Sequence, residues 1–407
     1  MSTAKAPSSL PVLKLGQADF WQDIHAPLRE AREASPLALT EEGALYVLRQ
    51  DDIEQVLKDP SCLAADLLAM MGMDSGPVWE WWQRLMFSRN PPDHTRLRGL
   101  VGRTFTQRSS EAERPTIRRI AEELLAPRIA AGSMETMADV AHLLPSWVMC
   151  KLLGIPDEDR DIFTDWTTDI GLAFSAALDP EVRARVERAL DQLDAYVAEL
   201  LPRRRHRPGN DLISALLAVE EAGDRLTAGE LIDLVKNLMF AGHDTTRSAI
   251  GIAVMVVATN HDQWRLVRAD RSLVPGLVEE ILRYEAVTFS TARLAAENVE
   301  VGGISIQAGT TIGVCLPSGS RDARRYHNPD TFDICRPDIR PPTFGAGAHF
   351  CLGAQLARAE LQETLGVLLD GCSGLELEEP AQWLPFAHIR RFERLPVLLA
   401  PTTKETA

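Results

Sequence analysis

No stretch of this chain stays apolar long enough to cross a membrane. The most apolar window, Ile250 to Ala258, falls well short of the ~20 residues a spanning helix needs, and it sits inside a longer amphipathic pattern. It reads as a buried core helix. The opening MSTAKAPSSLPVLKLGQADFW has an early lysine followed by polar residues and prolines, without an apolar run or cleavage site. No export is expected, and the cytoplasm is the expected compartment. Basic residues are also in short supply: 43 Lys and Arg against 58 Asp and Glu leave a formal charge of -15. That argues against a nucleic-acid partner, which would need a concentrated cationic surface. The six cysteines, Cys62, Cys150, Cys315, Cys335, Cys351 and Cys372, show no close pairing, so reduced thiols are expected rather than a disulfide framework. Internal repeats and linkers rich in Gly, Ser or Pro are missing as well. The nearest candidate linker, Arg203 to Gly209, is a charge run expected to form a solvated loop.

What is present is the composition of an ordinary globular protein, 45% hydrophobic and 25% charged. Leu37 to Leu39 and Ala44 to Leu48 read as a hairpin around Glu41-Glu42-Gly43, followed by a helical period from Asp51 to Lys58. Between about 94 and 280 apolar residues recur at three and four. Val182, Val186, Leu190, Leu193, Val197 and Leu200 make one face of a long helix. Short β-like runs follow at Val299 to Val301, Ile304 to Ile306 and Thr311 to Leu316. The fold class is therefore mainly α with small β-sheets.

One string carries distinctive chemistry: Pro342-Thr343-Phe344-Gly345-Ala346-Gly347-Ala348-His349-Phe350-Cys351-Leu352-Gly353. It runs straight into the helical period Ala354 to Leu369, which puts Cys351 at or near a helix N-terminus. Unpaired amides and the positive end of the macrodipole favour the thiolate there, the form a metal needs. Gly345, Gly347 and Gly353 let backbone approach a bulky flat ligand. Zinc is disfavoured, because no second pair at ligand spacing accompanies His349 and Cys351.

This string resembles the haem-binding signature of the cytochrome P450 family, and the resemblance extends from about Leu37 to Val397. It implies a helix-rich lobe, a smaller β-containing lobe, and haem between a long central helix and the cysteine loop. One domain over 1–407 is expected: an N-terminal extension to 35, a β-containing lobe with a substrate-covering loop at about 36–90, and a helical core at about 91–285. β segments, a meander and the haem-thiolate loop would fill about 286–400. Three segments agree, in the family's order.

Glu280 and Arg283 stand three apart on the helical run Leu277 to Tyr284, which by itself also suits an exposed ion pair. The resemblance implies a buried brace for the haem loop, completed by Arg336. Asn90 to Arg98 opens a helix with prolines before its start, so His94 and Arg98 share a face. A solvated helix end would look the same. The resemblance implies propionate clamps there, with Arg293 and His349 as further donors.

A third run, Thr227 to about Asn260, begins with a capping box and is interrupted by Ala241-Gly242-His243-Asp244-Thr245-Thr246. A glycine, β-branched residues and a buried acid depart from what a helix interior favours, which suits either a satisfied kink or a site. The family's oxygen-activating helix has this pattern. The resemblance makes Asp244 the proton relay and Thr245 the hydroxyl that holds a water. Gly242, beside Ala241, would open a groove, while His243 and Thr246 act as supports.

From the family come haem b, use of dioxygen, and insertion of one oxygen atom into a C–H bond by hydroxylation or epoxidation. Electrons would come indirectly from NAD(P)H through a ferredoxin or flavodoxin-type donor and its reductase, because no flavin or iron–sulfur segment is visible. Arg103, Arg340 and Arg358 are candidate docking residues, and a monomer is expected. The substrate is expected to be an apolar terpenoid, steroid, polyketide or fatty acid. Its walls would include Trp82, Phe87, Leu238, Val287, Phe289 and Ile389, near the Met- and Trp-rich stretch Leu67 to Phe87. Two alternatives remain in view: a peroxide-using or dehydrating haem-thiolate enzyme, and a non-enzymatic haem sensor.

Overall fold

The computed structural model describes residues 10–402 apart from 71, 103–104, 175–179, 222–225 and 386–387. Met71 and Arg103 thus lie outside the described residues. In chain order the early elements are β1 (Val12–Leu13), α1 (Ala18–Gln22), α2 (His25–Ala34), β2 (Leu37–Thr40), β3 (Leu45–Val47), α3 (Gln50–Lys58) and β4 (Cys62–Ala64). Next come α4 (Leu67–Met70), α5 (Pro77–Arg84), α6 (Asp93–Val101), α7 (Gln107–Ala131), β5 (Ser133–Glu135), α8 (Leu144–Leu153) and α9 (Arg160–Gly171). The long central stretch gives α10 (Pro180–His206), α11 (Leu212–Glu221), α12 (Ala228–Thr259), α13 (His261–Ala269) and α14 (Val274–Tyr284). The last third holds β6 (Ser290–Ala295), β7 (Val299–Val301), β8 (Ile304–Ile306), β9 (Thr311–Cys315) and α15 (Leu316–Ser320). It closes with α16 (Ala354–Gly371), β10 (Cys372–Leu377) and β11 (Pro396–Pro401). These elements gather into two compact units, one of residues 1–67, 275–351 and 382–391, the other of 68–274, 352–381 and 392–407.

In the first unit a six-stranded sheet runs in the order β1-β2-β3-β9-β6-β4. The expected hairpin is β2 paired antiparallel with β3, its turn closed by Gly43 at φ +85, a conformation that side chains resist. Parallel pairing of β3 with β9 sets Tyr46 against Gly313, where a Cβ would come within 2.7 Å of the tyrosine ring. One core packs Ile53, Val56 and Leu57 of α3 with Leu37, Val47, Ile312 and Val314. Another gathers Phe20, Trp21, Ile24 and Leu28 around Phe289. Strand β9 ends a residue earlier than the β-like run, because Leu316 opens α15 ahead of Pro317, a residue suited to a helix start.

Among its described residues the second unit is helical apart from the sheet β10-β11-β5. Strand β5, only three residues, is too short to interrupt a helical period visibly and went unread in the sequence. Helix α12 is capped as the sequence implies, with Thr227 Oγ1 accepting from Glu230 N and Glu230 Oε2 accepting from Thr227 N. The apolar face of α10 is buried at Val186, Leu190, Leu193, Val197 and Leu200. Its end corrects one expectation: Arg203 to His206 continue the helix instead of forming a loop. Cations there meet the negative end of the macrodipole, and Arg204 donates to the carbonyl of Gly154. Among the described residues no helix is long and apolar enough to cross a membrane.

Candidate active site

The glycine-rich loop of the first unit is positioned from several sides. Thr343 Oγ1 donates to Leu282 O at 2.7 Å, fastening the loop to α14. The Cys351 amide donates to Phe344 O at 2.8 Å and the Gly345 amide to Pro342 O at 2.7 Å, so the backbone folds back on itself before α16. Gly347, at φ +68, leaves no room for a side chain: a Cβ would lie 2.4 Å from Leu57 O at the end of α3. His349 is half-buried, while Phe350 and Cys351 are exposed. Gly353 is the N-cap residue of α16.

Cysteine environments differ sharply. Burial pushes the thiols of Cys150 and Cys315 up to about 12 and those of Cys62 and Cys372 up to about 11, so all four stay protonated and inert. Only Cys335 and Cys351 are exposed.

Behind the loop stands the expected brace. Arg283 grips Glu280 through two bonds, Nε–Oε2 and Nη2–Oε1, both 2.7 Å, with both side chains fully buried. Arg336 Nε joins Glu280 Oε1 at 3.2 Å, and the Asp333 amide donates to the same oxygen at 2.9 Å. The remaining guanidinium donors reach the carbonyls of Ser320, Pro329, Thr331, His327 and Asn328. The pair is no surface salt bridge; it organises the 327–336 segment on the same helix that Thr343 grips.

Arg293, on β6, is 5% exposed and donates to Ala292 O at 2.8 Å and to Thr291 Oγ1 at 3.4 Å. Among the described residues no carboxylate pairs with it, and burial lowers its pKa, opposed by Cys62. A buried guanidinium without an anion is expensive, so this donor set suits a ligand that brings its own carboxylate.

Of the pocket residues, Ile389 forms an isolated antiparallel bridge with Thr288, and beside it Arg390 N donates to Val287 O at 2.7 Å. Phe289 behaves differently. Its ring centroid lies 4.9 Å from that of Trp21 and 6.0 Å from that of Phe20, inside the apolar core, so it faces packing rather than a cavity. The sequence reading also missed a second buried hub, in which Glu285 takes His25, Arg321 and Arg390 at 3.0, 3.0 and 2.6 Å.

The second unit carries the remaining expected residues. From Leu231 to Ala258, Ala241 is the one exposed residue among those described, and Gly242 and Thr245 beside it are half-buried. An almost wholly buried helix thus shows one small-residue opening at its middle. Thr245 Oγ1 donates to Ala241 O at 2.7 Å, which commits its only proton and leaves its lone pairs to accept from a ligand. Asp244 is 3% exposed, with Arg247 Nη1 at 4.0 Å. Gly242 serves packing as well, since a Cβ there would lie 3.0 Å from Met149 Sδ of α8. His243 contacts His142 O at 3.1 Å through Nε2, and burial lowers its pKa to about 4, so it is neutral near pH 7. On α6, His94 is buried and Arg98 half-buried. Trp82 packs edge-on against Phe87 at 4.8 Å, and Leu238 is 7% exposed. Of the docking arginines, Arg340 is exposed and Arg358 half-buried.

A family model described as Cytochrome P450 matches residues 12–270 and 267–384. The vitamin D(3) 25-hydroxylase of Pseudonocardia autotrophica is 36% identical over 397 residues, covering 94% of this chain and 95% of that protein. The chain belongs to the cytochrome P450 family. The 6-deoxyerythronolide B hydroxylase of Saccharopolyspora erythraea is 34% identical over 393 residues, 93% of this P450 and 96% of that enzyme. Among solved structures, P450BioI in complex with hexadec-9Z-enoic acid ligated acyl carrier protein matches with a TM-score of 0.87 and 30% identity. It covers 94% of this P450 and 100% of that chain. The fold is therefore the P450 fold, and the protein is a haem-thiolate monooxygenase that uses dioxygen. Arg293, with no carboxylate partner among the described residues, fits the carboxylates such a haem carries.

Proposed function

We propose that Cys351 holds the haem b iron and that the enzyme hydroxylates, or epoxidises, an apolar molecule of terpenoid, steroid, polyketide or fatty-acyl type. The observation that carries this reading is the contrast among thiols: Cys351 is exposed on a glycine-shaped loop, while four other thiols are held protonated by burial. When bound, thiolate-ligated haem supplies dioxygen activation and transfer of one oxygen atom to carbon. Arg293, with His94, Arg98 and His349, would hold its propionates through charge-assisted hydrogen bonds. Phe344, Gly345, Gly353, Ala241 and Gly242 would line its faces.

Thr245 accepts a hydrogen bond from a water, because its own proton goes to Ala241 O. Asp244, one residue earlier and buried, passes protons toward that water. Glu280, Arg283 and Arg336 keep the cysteine loop in register without touching the reacting atoms. Trp82, Phe87, Leu238, Val287 and Ile389 would exclude water around the substrate. Relatives named for vitamin D(3) and 6-deoxyerythronolide B support a large, apolar substrate. Electrons reach the enzyme from a ferredoxin or flavodoxin-type protein whose reductase oxidises NAD(P)H. We place the enzyme in the cytoplasm as a monomer.

The test is spectroscopic. Cys351→Ser should abolish the thiolate signature of the reduced, carbon-monoxide-bound protein, while Cys335→Ser, at the other exposed thiol, keeps it in full. Retention of the signature in the Cys351 variant would move the ligand elsewhere.

A further inference from the structure

The Asp244 carboxylate meets the end of α9, where a Cβ on Gly171 would lie 3.6 Å from its Cγ. At 3% exposure, a proton it passes on has to be replaced through the interior. Two histidines stand in the same neighbourhood. His243 precedes Asp244 on α12, and His142 occupies the turn before α8, their ring centroids 5.7 Å apart and edge to face. Burial lowers the pKa of both rings, and the Asp244 carboxylate opposes it in each. Asp165 of α9, which is exposed, and Arg247 of α12 are the other charged groups acting on His142.

One bond between the two histidines fixes a tautomer. His142 O can only accept, so His243 Nε2 carries the hydrogen that reaches it at 3.1 Å. The His243 ring is neutral near pH 7, which leaves Nδ1 with a bare lone pair. That nitrogen is buried, in a residue 1% exposed, and has no hydrogen-bond partner among the described residues. The buried Nδ1 of His142 has none either, although the residue as a whole is half-buried and so spans surface and interior. Buried polar atoms left unpaired are costly. Two of them on facing rings beside a carboxylate call for a shared partner that both donates and accepts. Water does both, and a buried water typically makes about three such bonds.

We infer that His142 and His243 bracket a buried water, and that His142, a positioning residue acting through it, returns protons from solvent to Asp244, a role that rests on the proposed relay at that acid. Solvent protonates the His142 ring. The imidazolium gives its Nδ1 proton to the water, and the water gives one of its own to the Asp244 carboxylate. Ring and acid both end neutral, and one proton has moved inward. His243 takes no proton; its Nδ1 lone pair fixes the water.

The haem-loaded, full-length protein, crystallised, should show an ordered water within about 3.2 Å of both Nδ1 atoms. Two variants then probe the ring. His142→Phe removes its nitrogens but keeps the backbone carbonyl that His243 bonds, and His142→Gln keeps a polar side chain that takes up no proton. Dioxygen consumption driven by a ferredoxin, its reductase and NAD(P)H is read without knowing the substrate. It should slow about ten-fold in both variants, less than for a fully enclosed acid or base because solvent partly replaces a half-buried ring. The solvent isotope effect should rise, and the carbon-monoxide thiolate signature should stay as in the parent. In the parent the rate should fall as pH rises through a value below 6.5, and both variants should lack that limb. His142→Phe added to Asp244→Asn should slow the enzyme no further, as expected of two members of one path. Absence of the water, a parent-like rate in either variant, or a double variant slowed by the product of both single effects would overturn the path. If His142→Phe loses haem, His142→Gln decides; loss in both would make the ring a core residue and overturn it too. An unchanged rate in Asp244→Asn would instead strike the relay itself, with the crystallographic water still judging the histidine pair.

Discussion

Two buried carboxylates lie five residues apart in the first unit, Glu280 inside α14 and Glu285 just past its end, and they are held by opposite kinds of partner. Glu280 is gripped by Arg283 one turn along its own helix and then by Arg336 and the Asp333 amide. Glu285 instead collects His25, Arg321 and Arg390, none of them close in sequence. The first arrangement closes with little loop entropy, whereas the second is assembled only when three distant segments are already in place. Local pairing makes a scaffold on which the meander is built. Distant pairing makes a clasp that reports whether the unit is complete.

That comparison can be broken at its strong end. Glu280→Ala leaves Arg283 buried without its carboxylate and should cost about 3 to 5 kcal/mol. The protein should melt at lower temperature and be recovered with little haem. Full haem occupancy with unchanged melting would detach the brace from the cysteine loop.

Glu285→Gln sharpens the contrast through pH. Burial pushes the Glu285 carboxyl up, but His25, Arg390 and Arg321 outweigh burial and hold it well below its ordinary value of 4.5. A carboxyl depressed in the folded state contributes stability above that value and loses it as pH falls below it. Near pH 7 the variant should therefore be less stable by about 2 kcal/mol, the scale of a charge-assisted bond lost in the interior. Its deficit should shrink as the pH is taken below 4.5, measurable by urea unfolding across that range. A deficit independent of pH would mean that shape, not charge, is what Glu285 contributes.

The smallest effect belongs to His25. Burial lowers its pKa against the pull of Glu285, so it donates to the carboxylate as a neutral ring near pH 7. His25→Ala should cost about 1 kcal/mol, because Arg321 and Arg390 still satisfy the acid. If the loss instead matched that of Glu285→Gln, the histidine would be the organising member and the arginines its followers.

The same contrast explains what could be read in the sequence. Glu280 and Arg283 declare themselves by spacing, and the cysteine loop by glycines whose purpose the structure makes concrete at Gly347. Thr227 and Glu230 likewise announce the start of α12. Glu285, by contrast, shares no local pattern with His25 or Arg390, so nothing in a window of sequence joins them. Phe289 suits a pocket wall and a core equally well in the sequence, and only the packing of Trp21 and Phe20 decides which. Arg203 to His206 look like a solvated run until the end of α10 supplies a dipole for them. Arg293 sits on a strand whose alternation says nothing about the missing acid.

Gly347 has a practical meaning for anyone who would transplant the cysteine loop into another scaffold. Its backbone abuts the carbonyl of Leu57, while Thr343 is tethered to Leu282, so the loop takes its bearings from two helices that are far apart in the gene. Moving the signature string alone would carry the cysteine but neither datum against which its height is set. A portable module needs at least the loop with the start of α16, the last turn of α3 and the last turn of α14.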